Sequence, residues 1–430
     1  MPTAYMSIKK TNKVIVVGGG AAGMMSAIWS GQAGAQVTLL EKNEKLGKKI
    51  YITGKGRCNM TNDCDGDAFM RCVPRNPRFL FAALRTLPPQ ELMAFMEANG
   101  CPVKVERGRR VFPVSDKASD VTRTLEKAMR RLNVDIRFNA AVSSVLTERT
   151  DAGERVRGVA LADGTQMLCD RVVVATGGLS YPSTGSTGDG YRFAAEAGLS
   201  VTDTIPSLTG FQTAENWPAQ LQGLSLKNVA LHAALNGKSI FRQTGEMLFT
   251  HYGVSGPLVI ELSSLVCDRP LSGVSAYLDL KPGMDEKQLD ARLVRDFSAA
   301  GKKHVSSLLT QYLPQRLAAL FPEMAKVDGG KTAAQVSAGE RRALVGLMKR
   351  LPLTLTALRP FAEAIVTRGG VSVKEINAST MEAKKVTGLY FAGEVLDVDA
   401  FTGGYNLQIA FSTGALAGKS AGEADETNAF

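Results

Sequence analysis

The chain has few of the residues that build metal sites and disulfide frameworks. Its 430 residues include six cysteines and three histidines. The cysteines show no C-x-x-C spacing and no histidine-rich partner spacing, so neither a zinc site nor a disulfide scaffold is indicated. We therefore expect no bound metal ion.

Long apolar runs are missing as well. No stretch of 18 or more apolar residues occurs, so the sequence predicts no transmembrane helix, and no signal-peptide pattern precedes the first predicted strand. We expect a cytoplasmic protein without a membrane partner; the oligomeric state is open. The hydrophobic fraction of 44% and the charged fraction of 21% are typical of a soluble globular protein, here with room for two or three domains.

Acidic residues are outnumbered by basic ones, and the formal net charge is +10. Residues 48–131 hold 17 Lys and Arg against 9 Asp and Glu, and residues 285–350 hold 12 against 7. Clustered positive charge favours a polyanionic partner, whereas evenly spread charge would only keep the protein soluble. We interpret both regions as candidate nucleic-acid contacts. The candidate phosphate-binding side chains are Arg107, Arg109, Arg110, Lys302 and Lys303.

A glycine pattern follows the first predicted strand. Residues 14–17 are all β-branched and indicate a buried strand, and Gly18, Gly20 and Gly23 follow it in the G-x-G-x-x-G spacing. The first glycine permits a tight turn, the second lets the backbone approach a pyrophosphate, and the third lets the next helix pack on the strand. That helix, predicted from Ala22 to about Gly34, offers its N-terminus to phosphate oxygens.

Two further segments indicate which dinucleotide binds. Strand 36–40 ends at Glu41, whose carboxylate can accept hydrogen bonds from ribose hydroxyls. Strand 171–174 runs into Ala175-Thr-Gly-Gly178, and this return to the cofactor favours FAD over NAD. No second strand-glycine-helix unit occurs between residues 140 and 370. We therefore expect NAD(P)H to bind transiently, reduce FAD and leave.

The middle of the chain has a different pattern. Short β-like segments between about 200 and 280 predict a barrel or sandwich, including 239–241 and 246–249 as separate strands. Residues 285–350 have helical spacing with predicted breaks at Pro314, Pro322 and Gly329-Gly330.

The first architecture resumes near residue 370. A predicted strand ends in Gly393-Glu394, where an acid can lie near the ribityl chain, and residues 402–408 open a last helix. Its N-terminus can stabilise negative charge on the reduced flavin.

Several of these motifs together resemble the BaiN/RdsA family of bacterial NAD(P)/FAD-dependent oxidoreductases, also labelled aminoacetone-oxidase-like. The most specific are Gly54–Asn59, Thr184–Gly190, Ala392–Asp397 and Thr402–Gln408. The matching stretches span nearly the whole chain: Val17–Gly23, Gly47–Asn62, Ala175–Tyr191, Thr250–Pro257 and Gly369–Gly414. The sequence departs from the family pattern at Lys55, where Gly is expected, and at Ala400-Phe401.

The resemblance implies an α/β fold with a discontinuous Rossmann-like FAD domain, residues 1–200 and 365–430. A β-barrel insert, residues 201–284 and 351–364, would carry a basic helical subdomain, residues 285–350. Enterobacterial-type members are associated with reducing a uridine to dihydrouridine in 23S ribosomal RNA, and gut-anaerobe members with bile-acid C=C bonds. Both reactions add hydride to an activated alkene.

We predict the reaction on 23S ribosomal RNA or its precursor, because an RNA substrate explains the charge better than a bile acid does. Hydride would pass from flavin N5 to C6 of uracil while an acid protonates C5. Cys58 is the candidate acid, with Arg57 as electrostatic partner and Asn59 as orienting amide; Tyr405 and His251 are weaker candidates. The alternatives are small-molecule C=C reduction, amine oxidation, and a ribosome-assembly role without redox chemistry.

The predicted FAD-binding residues come from the glycine clusters and the loops beside them. They are Gly18, Gly20, Ala21, Ala22, Gly23, Glu41, Lys42, Gly47, Lys48, Thr53, Gly54, Gly56, Arg57, Asn59, Val142, Ala175, Thr176, Gly177, Gly178, Gly393, Glu394, Gly403, Gly404, Tyr405, Asn406 and Leu407.

Overall fold

The computed structural model describes residues 11–423, which form two compact units. Unit 2 is Ser207–Glu363, and unit 1 comprises the described residues on either side of it. The finer division into three parts with the boundaries given above stays a prediction.

The strands are numbered in chain order. Before unit 2 they are β1 (Lys13–Val17), β2 (Gln36–Leu40), β3 (Thr61–Asn62), β4 (Val103–Glu106), β5 (Arg110–Pro113), β6 (Asp135–Arg137), β7 (Val142–Thr150), β8 (Gly153–Leu161), β9 (Gln166–Leu168) and β10 (Arg171–Val174), and β11 (Val201–Ser207) ends at the first residue of unit 2. Unit 2 contains β12 (Phe211–Thr213), β13 (Ser225–Leu235), β14 (Lys238–Thr250), β15 (Gly253–Ser255), β16 (Val274–Asp279), β17 (Leu351–Leu353) and β18 (Leu355–Leu358). After it come β19 (Val366–Val371), β20 (Val386–Thr387) and β21 (Leu389–Phe391).

The α-helices are numbered in the same way. Those before unit 2 are α1 (Ala21–Gln32), α2 (Lys48–Ile52), α3 (Gly66–Arg71), α4 (Phe81–Thr86), α5 (Pro89–Ala98), α6 (Ala118–Arg131) and α7 (Asp189–Glu196). Unit 2 contains α8 (Trp217–Gln220), α9 (Pro257–Val266), α10 (Glu286–Ala300), α11 (Val305–Leu309), α12 (Gln315–Met324) and α13 (Ala338–Lys349), and α14 (Tyr405–Gly422) follows it.

A five-stranded parallel sheet forms the centre of unit 1, in the order β21-β10-β1-β2-β6. Its middle strands are buried: Val14–Val17 on β1 and all of β10 have almost no exposed surface. Continuous β-branched runs are what a parallel sheet covered on both faces requires. Because the strands are parallel, their carboxyl ends meet at one edge, and the segments after β1, β2, β10 and β21 converge there.

Helices α1 and α14 pack closely against each other beside this sheet. The hydroxyls of Ser26 and Ser30 donate to the carbonyls of Gly414 and Gly418, each at 2.9 Å. A Cβ at Gly414 would lie 2.4 Å from the Ala22 carbonyl oxygen, and one at Gly418 would lie 2.3 Å from that of Ser26. The glycines of α14 therefore allow the two backbones to approach to a distance that larger residues would prevent.

The smaller sheets of unit 1 support the loops near this edge. Strands β3, β5 and β4 form a three-stranded sheet in that order, and the turn between β4 and β5 carries Arg107, Gly108 and Arg109. Strand β8 pairs with β7, β9 and β20, and β11 pairs with β19.

Unit 2 is built on a seven-stranded antiparallel sheet in the order β17-β16-β13-β14-β15-β12-β18. Its two outer strands are consecutive in the chain, with only Thr354 between them. The sheet must therefore curl until its edges meet, as in a barrel. Helices α10 to α13 lie in the chain between β16 and β17 and bury their apolar residues in the same core as the sheet.

The α/β class with a Rossmann-type sheet is confirmed, and two local predictions are wrong. The segments 239–241 and 246–249 belong to one strand, β14, because the pairing with β13 absorbs the irregular spacing in register shifts. Pro322 does not end a helix but lies in the last turn of α12. A proline near the end of a helix removes only one backbone hydrogen bond, which the buried contacts of α12 tolerate.

Candidate functional site

The three glycines after β1 have different surroundings. Gly18 has φ +104°, and its Cβ would lie 2.5 Å from the Ala175 carbonyl oxygen. A Cβ at Gly23 would lie 1.8 Å from the Gly18 carbonyl oxygen. A Cβ at Gly20, in contrast, would meet no described atom within 4 Å. The first and third glycines thus hold the turn together, and the second faces open space.

The open space beside Gly20 lies at the N-terminus of α1. Gly20 is the N-cap residue, and no side chain caps the helix, whose first residues are Ala21 and Ala22. Uncapped backbone N–H groups and the partial positive charge of the helix end form an anion site. This geometry fits a pyrophosphate, which would lie against the backbone of Gly20.

Glu41 is fixed against the same turn. One carboxylate oxygen accepts from the backbone N–H of Gly19 at 2.7 Å, and the other accepts from the backbone and side-chain N–H groups of Asn43 at 2.8 and 2.6 Å. A carboxylate has about four acceptor positions. Glu41 can therefore hold the turn in place and still accept from a ribose.

Four polar side chains meet beyond the ends of β10 and β21. The Lys49 ammonium donates to Glu394 Oε2 at 2.5 Å and also to the Ser180 hydroxyl. Ser180 Oγ donates to Glu394 Oε1 at 2.6 Å, and the Thr367 backbone N–H donates to that same oxygen at 2.9 Å. Thr367 Oγ1 accepts from the backbone N–H groups of Leu179 and Ser180. We call these residues, Lys49, Ser180, Thr367 and Glu394, the Glu394 cluster.

Lysine 48 lies outside this cluster. Its ammonium pairs with Glu44 at 2.8 Å and donates to Asn43 at 3.0 Å. Of the two adjacent lysines, the structure therefore brings Lys49 rather than the predicted Lys48 to Glu394. Sequence alone could not separate them, because the register of the short helix α2 decides which lysine faces inward.

The loop rich in Gly, Ser and Thr before α7 lies against the segment after β2. The Lys42 ammonium pairs with Asp189 at 2.7 Å and donates to Thr187 Oγ1 at 2.5 Å, and Asn43 donates to the Thr184 carbonyl at 3.3 Å. These contacts hold the loop beside Glu41.

The loop after α2 is tightly folded. Thr53 donates to the Lys49 carbonyl at 2.9 Å, and Gly54, Lys55 and Gly56 all have left-handed φ angles, +62°, +59° and +85°. A left-handed conformation at Lys55 explains why glycine is expected at this position. The loop is exposed at all three residues.

The three predicted catalytic residues have mainly structural contacts. Arg57 pairs with Glu106 at 2.6 Å and Asp116 at 2.9 Å, and its guanidinium lies 4.0 Å from the Phe112 ring centroid. The Asn59 amide, oriented so that both ends are satisfied, donates to the Thr61 and Val111 carbonyls and accepts from the Gly404 N–H at 3.0 Å.

Cys58 is completely buried, and burial, with a smaller effect of Cys101, raises the pKa of its thiol. A proton donor must reach its acceptor, so this position argues against the predicted role. Cys58 is instead a core residue.

The turn before α14 packs against β3. Gly403 and Gly404 have φ angles of +124° and +100°, and a Cβ at Gly404 would lie 2.3 Å from the Thr61 carbonyl oxygen. The side chain of Asn62 donates to the carbonyls of both Gly403, at 3.1 Å, and Gly108, at 3.0 Å. The turn is therefore tied directly to the tip of the β4–β5 hairpin.

The first residues of α14 differ in exposure and contacts. Tyr405 is half-buried and packs edge-to-face on Phe69, with ring centroids 5.2 Å apart. Burial and a hydrogen bond with Cys72 raise the pKa of the Tyr405 hydroxyl. Asn406 uses its side chain to hold Ala400, accepting from its N–H at 2.9 Å and donating to its carbonyl at 2.7 Å.

Other predicted cofactor residues lie at the same edge of the sheet. Ala175 contacts the Gly18 turn, and Gly393 lies so close to Ala22 that an added Cβ would be 2.8 Å from the Ala22 side chain. Gly47 donates its N–H to the Gly19 carbonyl at 2.9 Å. Val142 begins β7, two residues after Ala140, whose N–H donates to the Glu41 carbonyl. The remaining predicted residues in this part, Thr176, Gly177, Gly178 and Leu407, follow β10 or belong to the first turn of α14.

Two buried hydroxyls near this edge have no hydrogen-bond partner among residues 11–423. They belong to Thr176 and Tyr191. The Tyr191 hydroxyl lies 3.0 Å from where a Cβ of Gly178 would be, and burial together with the charges of Glu394 and Asp397 raises its pKa. Buried polar groups without partners are rare in proteins and indicate a missing ligand or water. With the open space at Gly20, they show that these residues fit a dinucleotide such as FAD.

Sequence reasoning missed Lys49, Ser180, Thr367 and Tyr191. Ser180 and Tyr191 lie in or next to a loop that the sequence marks as rich in donors, but Thr367 has no such signal, because it comes to Glu394 from a separate segment.

His251, in unit 2, is exposed and packs against Tyr252. Among the described residues no group of three or more His, Cys, Asp or Glu could hold a metal ion. Within the same range, no helix has the length and apolar character needed to span a membrane.

The chain is similar over most of its length to known proteins. The family described as HI0933-like protein Rossmann domain matches residues 12–420. The 3-dehydro-bile acid delta(4,6)-reductase of Clostridium scindens is 32% identical over 96% of this chain and 99% of its own. The ribosomal RNA dihydrouridine synthase of Haemophilus influenzae is 32% identical over 93% of this chain and 96% of its own, and that of Escherichia coli is 31% identical over 93% and 95%.

A solved structure shares the fold. The 3-ketosteroid delta1-dehydrogenase from Sterolibacterium denitrificans has a TM-score of 0.51 and 15% identity, over 96% of this chain and 100% of its own. With the glycine turn, Glu41 and the Glu394 cluster at one edge of a parallel sheet, and a family match over nearly all of its length, the chain belongs to the HI0933-like family of Rossmann-type flavoprotein oxidoreductases.

Proposed function

We propose that this protein is an FAD-dependent reductase that uses NAD(P)H to reduce a uridine to dihydrouridine in 23S ribosomal RNA. Relatives named as ribosomal RNA dihydrouridine synthases and one named as a bile-acid reductase are equally similar in sequence. Identity alone does not choose between the two substrate classes. The choice therefore depends on the surface beside the site.

The RNA proposal rests on the exposed arginines at the tip of the β4–β5 hairpin. Arg107, Arg109 and Arg110 are exposed, and none of them forms an ion pair with a described carboxylate. Asn62 ties this tip to the turn before α14, as described above. Three guanidinium groups without acidic partners next to the site can bind the phosphates of an RNA backbone. A steroid has no row of negative charges for them to bind.

When bound, FAD would supply the redox chemistry, taking hydride from NAD(P)H and giving it from N5 to C6 of uracil. The chain would hold the pyrophosphate at Gly20 and the ribose at Glu41, and the Glu394 cluster would lie beside the ribityl chain. The N-terminus of α14 would stabilise negative charge at the pyrimidine end.

Tyr405 is the residue that we propose as proton donor to C5. It is half-buried at the start of α14, and its phenol hydroxyl can donate a proton. The buried Cys58 does not meet the same requirement of access.

Mass spectrometry of 23S RNA from a strain that lacks this chain tests the proposal. We expect one dihydrouridine to disappear and to return with the wild-type chain, but not with a variant that cannot bind FAD. An unchanged RNA would move the function to the second candidate, reduction of a small-molecule enone of the bile-acid type, which the Clostridium scindens relative favours. Restoration by the FAD-free variant would indicate a role in ribosome assembly.

A further inference from the structure

The outer face of the unit 2 sheet carries a row of aromatic and guanidinium groups. His232 on β13 lies opposite Arg242 on β14 and Tyr277 on β16. The rings of His232 and Tyr277 are stacked, with centroids 4.6 Å apart and planes 8° from parallel. The Arg350 guanidinium lies 4.6 Å from the Tyr277 ring centroid. We call Arg242, His232, Tyr277 and Arg350 the stacked row.

This row lies on the face of the sheet that is turned away from the core. Residues next to it in each strand, Leu231 and Ala233 on β13 and Leu278 on β16, are buried in the core. Side chains alternate between the two faces of a strand, so His232 and Tyr277 point the other way. Both rings are half-buried, and the two arginines are exposed.

The stacked row is positively charged without neutralising partners. Neither Arg242 nor Arg350 pairs with a carboxylate of the described residues, and Asp279, the neighbouring acid, is held by Lys349 at 2.6 Å. Burial, and next the charge of Arg242, lower the pKa of His232. This shift favours the neutral imidazole ring.

Other arginine–aromatic pairs in unit 2 are built differently. Arg292 lies over the ring of Tyr312 and is paired with Asp296, and Arg359 lies over Tyr252 and is paired with Glu363. Each of those arginines is neutralised by an acid four residues further along the chain. An arginine that stacks on a ring for structural reasons alone can be paired with an acid, as Arg292 and Arg359 are. Arg350 has no such acid among the described residues.

We propose that the stacked row is a binding site for single-stranded RNA. Bases would stack on the His232–Tyr277 pair, and Arg242 and Arg350 would donate to the phosphates on either side. Aromatic platforms flanked by cations on a sheet face are a common way to bind single strands without a strict sequence preference. The proposal rests on the RNA substrate proposed above and adds a second RNA contact, located in unit 2.

Binding of a labelled oligonucleotide to the full-length, FAD-loaded protein tests this site. The probe is an oligouridylate of about twelve nucleotides with one 2-aminopurine, whose fluorescence falls when the base stacks on an aromatic ring. We expect His232→Ala with Tyr277→Ala to weaken binding roughly ten-fold or more and to remove the quenching. Tyr277→Phe, which keeps the ring, should bind like the wild type. Arg350→Gln should lower the salt dependence of binding by about one phosphate contact.

Arg292→Gln is the matched control, because it removes one charge and one cation–π contact elsewhere in unit 2. It should not change the affinity beyond a small effect of net charge. The proposal is overturned if the double alanine variant, with unchanged FAD content and circular dichroism, binds the probe as tightly as the wild type does. Failure of the proposed function would look different: the 23S RNA would keep its dihydrouridine in the deletion strain while the stacked row still bound the probe.

Discussion

Gly20 and Gly23 are three residues apart in the same turn, yet a side chain would meet different surroundings at each. A Cβ at Gly23 collides with backbone, whereas one at Gly20 enters open space, and the extended φ of −79° at Gly20 suits any residue. We expect Gly20→Asp to fold normally, because Asp is a good N-cap, and to lose FAD, because its carboxylate takes the place of the pyrophosphate. The flavin absorbance of the purified variant and its melting temperature check both expectations.

Gly23→Ala is the control for that variant. The added methyl group would lie 1.8 Å from the Gly18 carbonyl oxygen, so the helix must shift, at a cost of about 1–3 kcal/mol in stability. A Gly20→Asp protein that stays yellow would mean that the phosphates bind elsewhere.

Substitutions at Tyr405 and Cys58 should differ in their effect on proton transfer to the product. Tyr405→Phe should lower product formation roughly 10²- to 10⁴-fold, the usual contribution of a general acid, and leave reduction of the bound FAD by NAD(P)H unchanged. Cys58→Ala should leave both half-reactions unchanged, because the thiol is buried in the core. Single-turnover measurements of the two half-reactions separate the outcomes. A lower rate for Cys58→Ala at unchanged FAD content would restore the thiol as the acid.

At the scale of single residues, the sequence could predict side chains whose position follows from a strand end or a backbone turn. Gly18, Gly20, Gly23 and Glu41 are of this kind, and they lie together at the turn after β1. Lys49 and Thr367 could not be predicted, because their place at Glu394 depends on how separate segments pack. The burial of Cys58 is equally a tertiary property.

Two helical glycines test what the close approach of α1 and α14 contributes. A Cβ added at Gly418 on α14 would lie 2.3 Å from the Ser26 carbonyl oxygen, whereas a Cβ added at Gly346 on α13 would have no described atom within 4 Å. We expect Gly418→Ala to destabilise the protein by about 1–3 kcal/mol, because the helices must move apart. Gly346→Ala should stabilise it by up to about 1 kcal/mol through helix propensity. Urea denaturation of both variants measures the difference, and equal effects would contradict the packing argument.

At the scale of elements, periodicity predicted the parallel strands and the long helices well because each is fixed by its own sequence. The Rossmann-type sheet follows from three β-branched or apolar runs, and the first and last predicted helices correspond to α1 and α14. The long strand β14 could not be predicted as one element. Its polar middle, 242–246, becomes a strand only through pairing with β13.

At the scale of the whole molecule, the net charge of +10 does not say where an RNA would bind, since basic side chains occur in both units and many of them pair with acids. The hairpin tip is an exception, because Arg107, Arg109 and Arg110 have no described ion-pair partner. We expect Gln at all three positions to weaken RNA binding and to reduce the slope of log affinity against log salt by about two to three. NAD(P)H oxidation without RNA should not change.

The matched control replaces Arg123, Arg130 and Arg137, which pair with Asp120, Glu126 and Asp135 in the same unit, and removes the same total charge. If binding depends on the tip, only the first triple variant loses the salt-dependent contacts; if both lose them equally, overall charge rather than a defined contact attracts the RNA.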